Sequence, residues 1–147
     1  MTLAYLPTAD RPSEARNLLD MARTAAERAT CSRLQVGAVI ARNGHVLSTG
    51  RNGAAPGEEH CHHDTDTPCE VSLHAERNAI AFAARHGAAT EGAILYVTHA
   101  PCFECAGVLL SAGIVGVVYG EPFRTNRGLG RLMLAGVTIH HLADDTP

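Results

Sequence analysis

The chain has 147 residues, the size of one globular domain, and 46% of them are hydrophobic, which is enough for a core without disulfide bonds. All twelve basic residues are arginine, they form no cluster, and the formal net charge is −3. A long nucleic-acid ligand normally requires a basic surface, so these values favour a small substrate. No apolar stretch is long enough to cross a bilayer. Met1–Pro7 lacks the features of a secretory signal, so we expect a cytoplasmic protein with no membrane partner.

The pattern of apolar residues predicts four helices and five strands. A first helix extends from Pro12 to about Ala29, because alanine and leucine recur there at helical spacing. Asn43-Gly44 lies between two extended runs and predicts a hairpin, since both residues tolerate positive φ. The predicted elements in chain order are helix 12–29, strand 34–41, strand 45–49, helix 72–85, strand 93–98, helix 103–111, strand 114–119, helix 127–135 and strand 137–140.

Alternating helices and strands predict a three-layer α/β/α domain with a mixed sheet of five strands. We assign residues 12–142 to this single domain, and we expect residues 1–11 and 143–147 to form flexible tails. Residues 50–69 are polar and without periodicity, which predicts a loop of about twenty residues. Loops of that length in a compact domain are usually functional or disordered.

Two short motifs carry the chemistry of the sequence. They are His74-Ala75-Glu76 and, beginning 27 positions after His74, Pro101-Cys102-Phe103-Glu104-Cys105. This is the H-x-E…P-C-x-x-C pattern of zinc deaminases. Both motifs lie at predicted helix N-termini, where the partial positive charge favours cysteine thiolates. One imidazole and two thiolates leave a fourth tetrahedral position for water, which is typical of a catalytic zinc site.

Glu76 follows the histidine by two residues and is predicted to be the catalytic proton shuttle. It would take a proton from the zinc-activated water, protonate ring N3, and later protonate the departing ammonia. A C-x-x-C pair alone is also compatible with redox chemistry or with a structural metal. A structural site normally has four cysteine or histidine ligands, and neither alternative accounts for Glu76.

From Cys31 to about Leu142 the chain resembles the cytidine and deoxycytidylate deaminase family. The zinc motif is shared by the superfamily, whereas Asn78-Ala79-Ile80 and the turn Gly50-Arg51-Asn52-Gly53 resemble the deoxycytidylate branch. The resemblance implies the cytidine-deaminase-like fold and hydrolysis of dCMP to dUMP and ammonia. Three alternatives stay open: a deaminase of nucleosides or modified cytosines, a nucleic-acid editing enzyme, and a non-catalytic zinc module.

The resemblance also implies roles for individual residues. His74, Cys102 and Cys105 would bind the zinc, Asn52 would bind the sugar, and Tyr119 would line the pocket. The backbone of Ala75 and Ala100 would read the edges of the base. Family members commonly carry an arginine before the catalytic histidine, where this chain has Val71-Ser72-Leu73. Arg51 or Arg124 is therefore expected to hold the 5′-phosphate.

Two further expectations follow from the same resemblance. Family members are usually oligomeric, so we expect a homo-oligomer, and several members are switched by dCTP and dTTP. Two alternatives stay open for the loop at residues 58–69: a second, structural zinc site, and a solvated substrate loop with incidental histidines. The candidate ligands of the second zinc are Cys31, His60, Cys61, Cys69 and His99.

Overall fold

A computed structural model describes residues 11–62 and 69–144 of the chain. The predicted tails lie mostly outside these residues, as do positions 63–68 of the predicted loop. Within the described ranges, none of the helices is both long enough and apolar enough to span a membrane. The nine elements occur in the predicted order and are α1 Glu14–Ala26, β1 Gly37–Arg42, β2 His45–Arg51, α2 Ala75–Arg85, β3 Ile94–His99, α3 Phe103–Ser111, β4 Gly116–Glu121, α4 Arg127–Leu134 and β5 Thr138–His141.

The five strands form one mixed sheet with the order β2-β1-β3-β4-β5. β1 runs antiparallel to both of its neighbours, whereas β3, β4 and β5 are parallel. The predicted hairpin between β1 and β2 is confirmed, with positive φ values of 52° at Asn43 and 77° at Gly44. The parallel strands direct their carboxyl ends to one edge of the sheet, and α3 begins directly beyond the end of β3.

Helices cover both faces of the sheet, so the predicted three-layer α/β/α architecture is confirmed. On one face, Leu18 and Ala22 of α1 pack with Val39 and Tyr96 of the central strands. On the other face, α2, α3 and α4 bury a larger core that includes Ala79, Leu109 and Leu132 with Ile40, Leu95, Val97 and Val117. Strand residues alternate between the two cores, as expected for a sheet that is buried on both sides.

β1 and α2 each begin three residues later than the sequence predicts, the largest such differences, and a tertiary contact explains each of them. β1 begins at Gly37 because the preceding segment bonds to the side chain of Asn52, which accepts from Val36 N at 2.7 Å and donates to Leu34 O at 2.5 Å. α2 begins at Ala75 because Leu73 instead forms an isolated antiparallel bridge with Gly53. Both contacts involve the turn after β2, far away in sequence, so local patterns do not reveal them.

Gly37 allows α1 to lie directly on the sheet. A Cβ atom there would overlap the carbonyl oxygen of Ala22 and would lie 2.6 Å from the backbone nitrogen of Ala26. Both obstructing atoms belong to the helix backbone, which cannot move aside as a flexible side chain would. Gly37 thus sets the distance between α1 and β1.

We predict that Gly37→Ala lowers the free energy of unfolding by about 1–3 kcal/mol, the usual cost of overpacking a well-packed core. Gly130→Ala in α4 is the matched control, because a Cβ there meets no atom within 4 Å. The control should leave stability unchanged or raise it by up to about 1 kcal/mol. Denaturant unfolding of both variants measures the difference, and equal stability of the two would contradict the proposed contact.

Candidate active site

Three potential metal ligands converge where α2 and α3 begin. His74 is the N-cap residue of α2, Cys102 is the N-cap residue of α3, and Cys105 lies in the first turn of α3. His74 Nδ1 lies 3.6 Å from Cys102 Sγ and 3.3 Å from Cys105 Sγ. The three ligand atoms lie within 4.8 Å of one another. The sequence prediction that these residues meet in space therefore agrees with the structure.

The spacing of these atoms suits a tetrahedral zinc ion. With Zn–N near 2.0 Å and Zn–S near 2.3 Å, tetrahedral angles separate nitrogen from sulfur by about 3.6 Å and two sulfurs by about 3.8 Å. The two nitrogen–sulfur distances in the structure, 3.6 and 3.3 Å, are close to that value. Three donors of this kind leave one tetrahedral position that the described side chains do not supply.

The local electrostatics prepare the cysteines to bind a cation. The Cys105 thiol donates a hydrogen bond to the sulfur of Cys102. This bond, the hydrogen bond with His74 and the hydrogen bond from the Cys105 backbone N–H lower the pKa of Cys102 to about 3. The same interaction with Cys102 raises the pKa of Cys105, so in the absence of a metal the negative charge of the pair lies on Cys102. The hydrogen bond with Cys102 also raises the pKa of His74. In the absence of a metal, the site therefore holds one thiolate, on Cys102, next to the imidazole of His74.

Glu76 is a buried carboxyl group beside this triad. It lies in the first turn of α2, and only 4% of its surface is exposed. Desolvation raises the pKa of Glu76 to about 7, although the charge of His74 opposes the shift. A carboxyl group with a pKa near neutrality can both accept and release a proton, as a general acid–base requires.

A cavity of about 160 Å³ opens beside the triad. Its wall includes three of the predicted substrate-binding residues, Asn52, Ala75 and Ala100, together with Glu76. The wall also includes Phe123 and two arginines, the predicted Arg124 and, in addition, Arg33. Sequence reasoning missed Arg33; the available signal was its position two residues after Cys31 in a segment that resembles the family.

Arg51 and Tyr119 do not line this cavity. Arg51 is exposed and borders a separate cavity of about 640 Å³, whose wall also includes Phe82 of α2 and its C-cap residue His86. Tyr119 packs against the core beneath α2–α4, and its ring stacks on His141 with 4.7 Å between ring centroids. Asn52 lines the cavity, but its amide group already forms hydrogen bonds with the backbone N–H of Val36 and the carbonyl oxygen of Leu34.

A second group of potential metal ligands consists of Cys31, Cys61 and Cys69, whose sulfur atoms lie within 4.8 Å of one another. Desolvation and contacts with the other two cysteines raise the pKa of Cys61 to about 11. The two histidines predicted to join them lie elsewhere: His60 is exposed beside the larger cavity, and His99 lines the catalytic cavity. Cys31 and Cys69 also form part of the wall of the catalytic cavity.

Comparison with known proteins identifies relatives of this site. Residues 12–121 match the sequence model of the cytidine and deoxycytidylate deaminase zinc-binding region. The ComE operon protein 2 of Bacillus subtilis is 39% identical over 123 residues, which cover 80% of this chain and 65% of that protein. The deoxycytidylate deaminase of Mycobacterium phage D29 is 35% identical over 125 residues, which cover 74% and 95% of the two chains.

Among solved structures, the dCMP deaminase of cyanophage S-TIM5 in complex with dCMP and dUMP superimposes with a TM-score of 0.84. It is 28% identical to this chain, and the match covers 90% of this chain and 98% of the phage enzyme. The structural similarity therefore extends over most of the chain, and the family model covers the residues of the triad.

Proposed function

Since the chain belongs to the cytidine and deoxycytidylate deaminase family, we propose that it hydrolyses deoxycytidylate to deoxyuridylate and ammonia. The observation that carries the proposal is the buried carboxyl of Glu76 beside a zinc-compatible triad at the wall of a small cavity. Names of relatives support the choice of substrate, because the mycobacteriophage and cyanophage proteins are both deoxycytidylate deaminases. The chain spans 65% of the length of the Bacillus relative, so the activity of the whole protein is part of this proposal.

His74, Cys102 and Cys105 are the proposed ligands of the catalytic zinc. The distances between their ligand atoms and the thiolate of Cys102 support this assignment. When bound, zinc lowers the pKa of a coordinated water towards neutrality and so supplies a nucleophile. The start of α2 places both residues in the wall of the cavity, His74 as the N-cap residue and Glu76 in the first turn.

Glu76 is the proposed carrier of the proton. In the net reaction an oxygen of water bonds to C4 of the cytosine ring, the bond from C4 to the amino nitrogen breaks, and ammonia leaves. The carboxylate accepts one proton of the water and delivers it to ring N3. It then accepts the second proton of that water, from the oxygen now bonded to C4, and delivers it to the departing amino group. The backbone groups of Ala75 and Ala100, which line the cavity, are the proposed contacts to the carbonyl and amino edges of the base.

We predict that Glu76→Gln lowers kcat by about 10²–10⁴-fold, the usual contribution of a general acid–base, and leaves the zinc content unchanged. The amide has nearly the shape of the carboxyl group but cannot exchange a proton. Glu91→Gln, at an exposed position before β3, is the control and should keep full activity. Ammonia release and elemental analysis provide the measurements, and unaltered turnover of Glu76→Gln would exclude the mechanism.

Arg124 is the proposed ligand of the 5′-phosphate. Its guanidinium carbon lies 5.7 Å from the centroid of the Phe123 ring, and both residues line the catalytic cavity. Arg33 supplies a second positive charge at the same wall. Arg51 was an equal candidate from the sequence, but its position at the larger cavity favours Arg124. Asn52 remains the proposed sugar contact, and its bonds to Leu34 and Val36 would orient it.

We predict that Arg124→Ala raises KM for deoxycytidylate roughly 10- to 100-fold, because a charge-assisted hydrogen bond to phosphate is lost. Activity on deoxycytidine, which has no phosphate, should not change. Arg28→Ala, which removes an exposed arginine after α1, is the control. If the wild-type chain deaminates only unphosphorylated cytosine compounds, the nucleotide proposal is wrong and the nucleoside alternative holds.

We also propose that Cys31, Cys61 and Cys69 hold a structural zinc. Three sulfur donors within 4.8 Å of one another would supply three of the four ligands that a structural zinc site normally has. The site would connect the segment after α1 to the segment between β2 and α2, and two of its cysteines, Cys31 and Cys69, form part of the wall of the cavity. Structural zinc contributes directly to folding stability, so this ion would brace the wall of the cavity.

We predict two zinc ions per wild-type chain and about one in each of two variants, Cys61→Ser and Cys105→Ser. Cys61→Ser should lower Tm and retain measurable deamination, because the catalytic ligands are intact. Cys105→Ser should abolish deamination, because it removes a ligand of the catalytic zinc. Elemental analysis, thermal unfolding and ammonia release separate the two sites. A single zinc in the wild-type chain would exclude the structural site.

Self-association and control by dCTP and dTTP are further proposals, as is a cytoplasmic location. The exposed apolar side chains of Met133 and Leu134 in α4 support self-association, since Leu134 is 92% exposed. The net charge of −3 supports a free nucleotide over a nucleic-acid strand as the substrate.

A further inference from the structure

His99 occupies a position in the catalytic cavity that the proposed mechanism does not use. It is the last residue of β3, directly before Ala100, and its half-buried ring lines the cavity together with His74 and Glu76. Neither group of potential metal ligands in the described part of the chain includes it. Its ring instead contacts Thr98, with 2.9 Å between Thr98 Oγ1 and His99 Nδ1.

A short chain of hydrogen bonds determines which ring nitrogen carries the hydrogen. The backbone N–H of Gly37 donates to Thr98 Oγ1 at 3.2 Å. Thr98 is buried, so its own hydroxyl hydrogen needs an acceptor, and His99 Nδ1 lies within range. If Nδ1 accepts that hydrogen, the neutral imidazole must carry its hydrogen on Nε2. Thr98 therefore favours the Nε2–H tautomer.

The Nε2 atom is accessible from the cavity. Among residues 11–62 and 69–144, the one buried side-chain nitrogen or oxygen without a hydrogen-bond partner is Arg77 Nε. His99 Nε2 has no hydrogen-bond partner in these ranges. A buried Nε2 would therefore belong to the same class as Arg77 Nε, and it does not, so Nε2 is exposed. The ring to which it belongs lines the cavity. Burial of the ring lowers the pKa of His99, against the opposing charge of Glu121, which favours the neutral donor.

We propose that His99 contacts the substrate and that its Nε2–H donates a hydrogen bond to an oxygen atom of the nucleotide, in the phosphate or in the 3′-hydroxyl of the deoxyribose. This inference rests on the proposed function. The exocyclic amino group of cytosine is itself a donor and cannot accept this hydrogen. Thr98 is a positioning residue, because it acts on the substrate only through the tautomer of His99.

Two amide replacements separate the role of Nε2 from that of ring packing. Glutamine carries its amide nitrogen about where histidine has Nε2, whereas asparagine carries it about where histidine has Nδ1. His99→Gln should keep kcat/KM for deoxycytidylate within about threefold of wild type, and His99→Asn should lower it about tenfold or more. Equal activity of the two variants, or an unaltered His99→Asn, would overturn the proposal.

Substrate analogues identify the oxygen that is contacted. If the phosphate is the acceptor, His99→Asn should affect deoxycytidylate about tenfold more than deoxycytidine. If the 3′-hydroxyl is the acceptor, the loss should disappear with 2′,3′-dideoxycytidylate, which lacks that group. A loss of the same size with all three compounds would show that His99 acts through the fold and would contradict the proposal.

A measurement without substrate tests the tautomer directly. In a long-range ¹H–¹⁵N spectrum of the zinc-loaded chain, the His99 signals, identified by their absence in His99→Gln, should show the Nε2–H pattern. Thr98→Val removes the hydroxyl donor and should lower kcat/KM, but less than His99→Asn does. Thr98→Ser keeps the hydroxyl group and should have the kcat/KM of the wild-type chain. An Nδ1–H pattern would refute the inference even if the chain deaminates deoxycytidylate. An inactive wild-type chain would instead refute the proposed function.

Discussion

The geometry of the catalytic triad depends on close backbone contacts that only glycine permits. A Cβ at Gly50 would overlap the carbonyl oxygen of Ala75 and would lie 2.5 Å from the nitrogen of Ala79, so β2 touches the backbone of α2 directly. At Gly128, a Cβ would overlap the carbonyl oxygen of Pro101, which precedes the N-cap of α3. These contacts fix the positions of the two helix N-termini that carry the ligands. A shift of about 1 Å in either terminus would move the ligand atoms out of coordination distance.

The two cysteine-containing groups differ in what surrounds them. His74, Cys102 and Cys105 lie next to a buried carboxyl group, and Arg77 of α2 pairs with Glu104 of α3 at 3.3 Å across the same two helices. Cys31, Cys61 and Cys69 combine sulfur donors from two connections, one after α1 and one between β2 and α2. A catalytic site needs a proton carrier and access for substrate, whereas a structural site needs only ligands that connect distant segments. The surroundings thus support different roles for two groups that both contain cysteine.

The order of elements and the triad could be predicted because their signals are local. A C-x-x-C pair at a helix start brings its two sulfur atoms together, and the period of apolar residues identifies the helices. The positions of Arg51 and Tyr119 could not be predicted in this way, since they depend on which face of β2 or β4 each residue occupies. His99 illustrates the same limit. Its residue type suggested a metal ligand, but its hydrogen-bond partner is Thr98, the preceding residue in the strand.

The positions of the charged groups around the cavity would orient the proposed nucleotide, whereas the net charge of the chain gives no direction. The negative groups, Glu76 and the thiolate of Cys102, belong to the helix starts, whereas Arg33 and Arg124 belong to loops after α1 and β4. The negative groups would repel a phosphate, and the two arginines would attract it. A neutral base would be neither repelled nor attracted in this way. Two arginines thus place positive charge in the cavity wall, although the overall charge of the chain is −3. A neutral His99 adds direction without adding charge, since a hydrogen-bond donor requires an acceptor at one position, whereas a charge attracts an anion from any side.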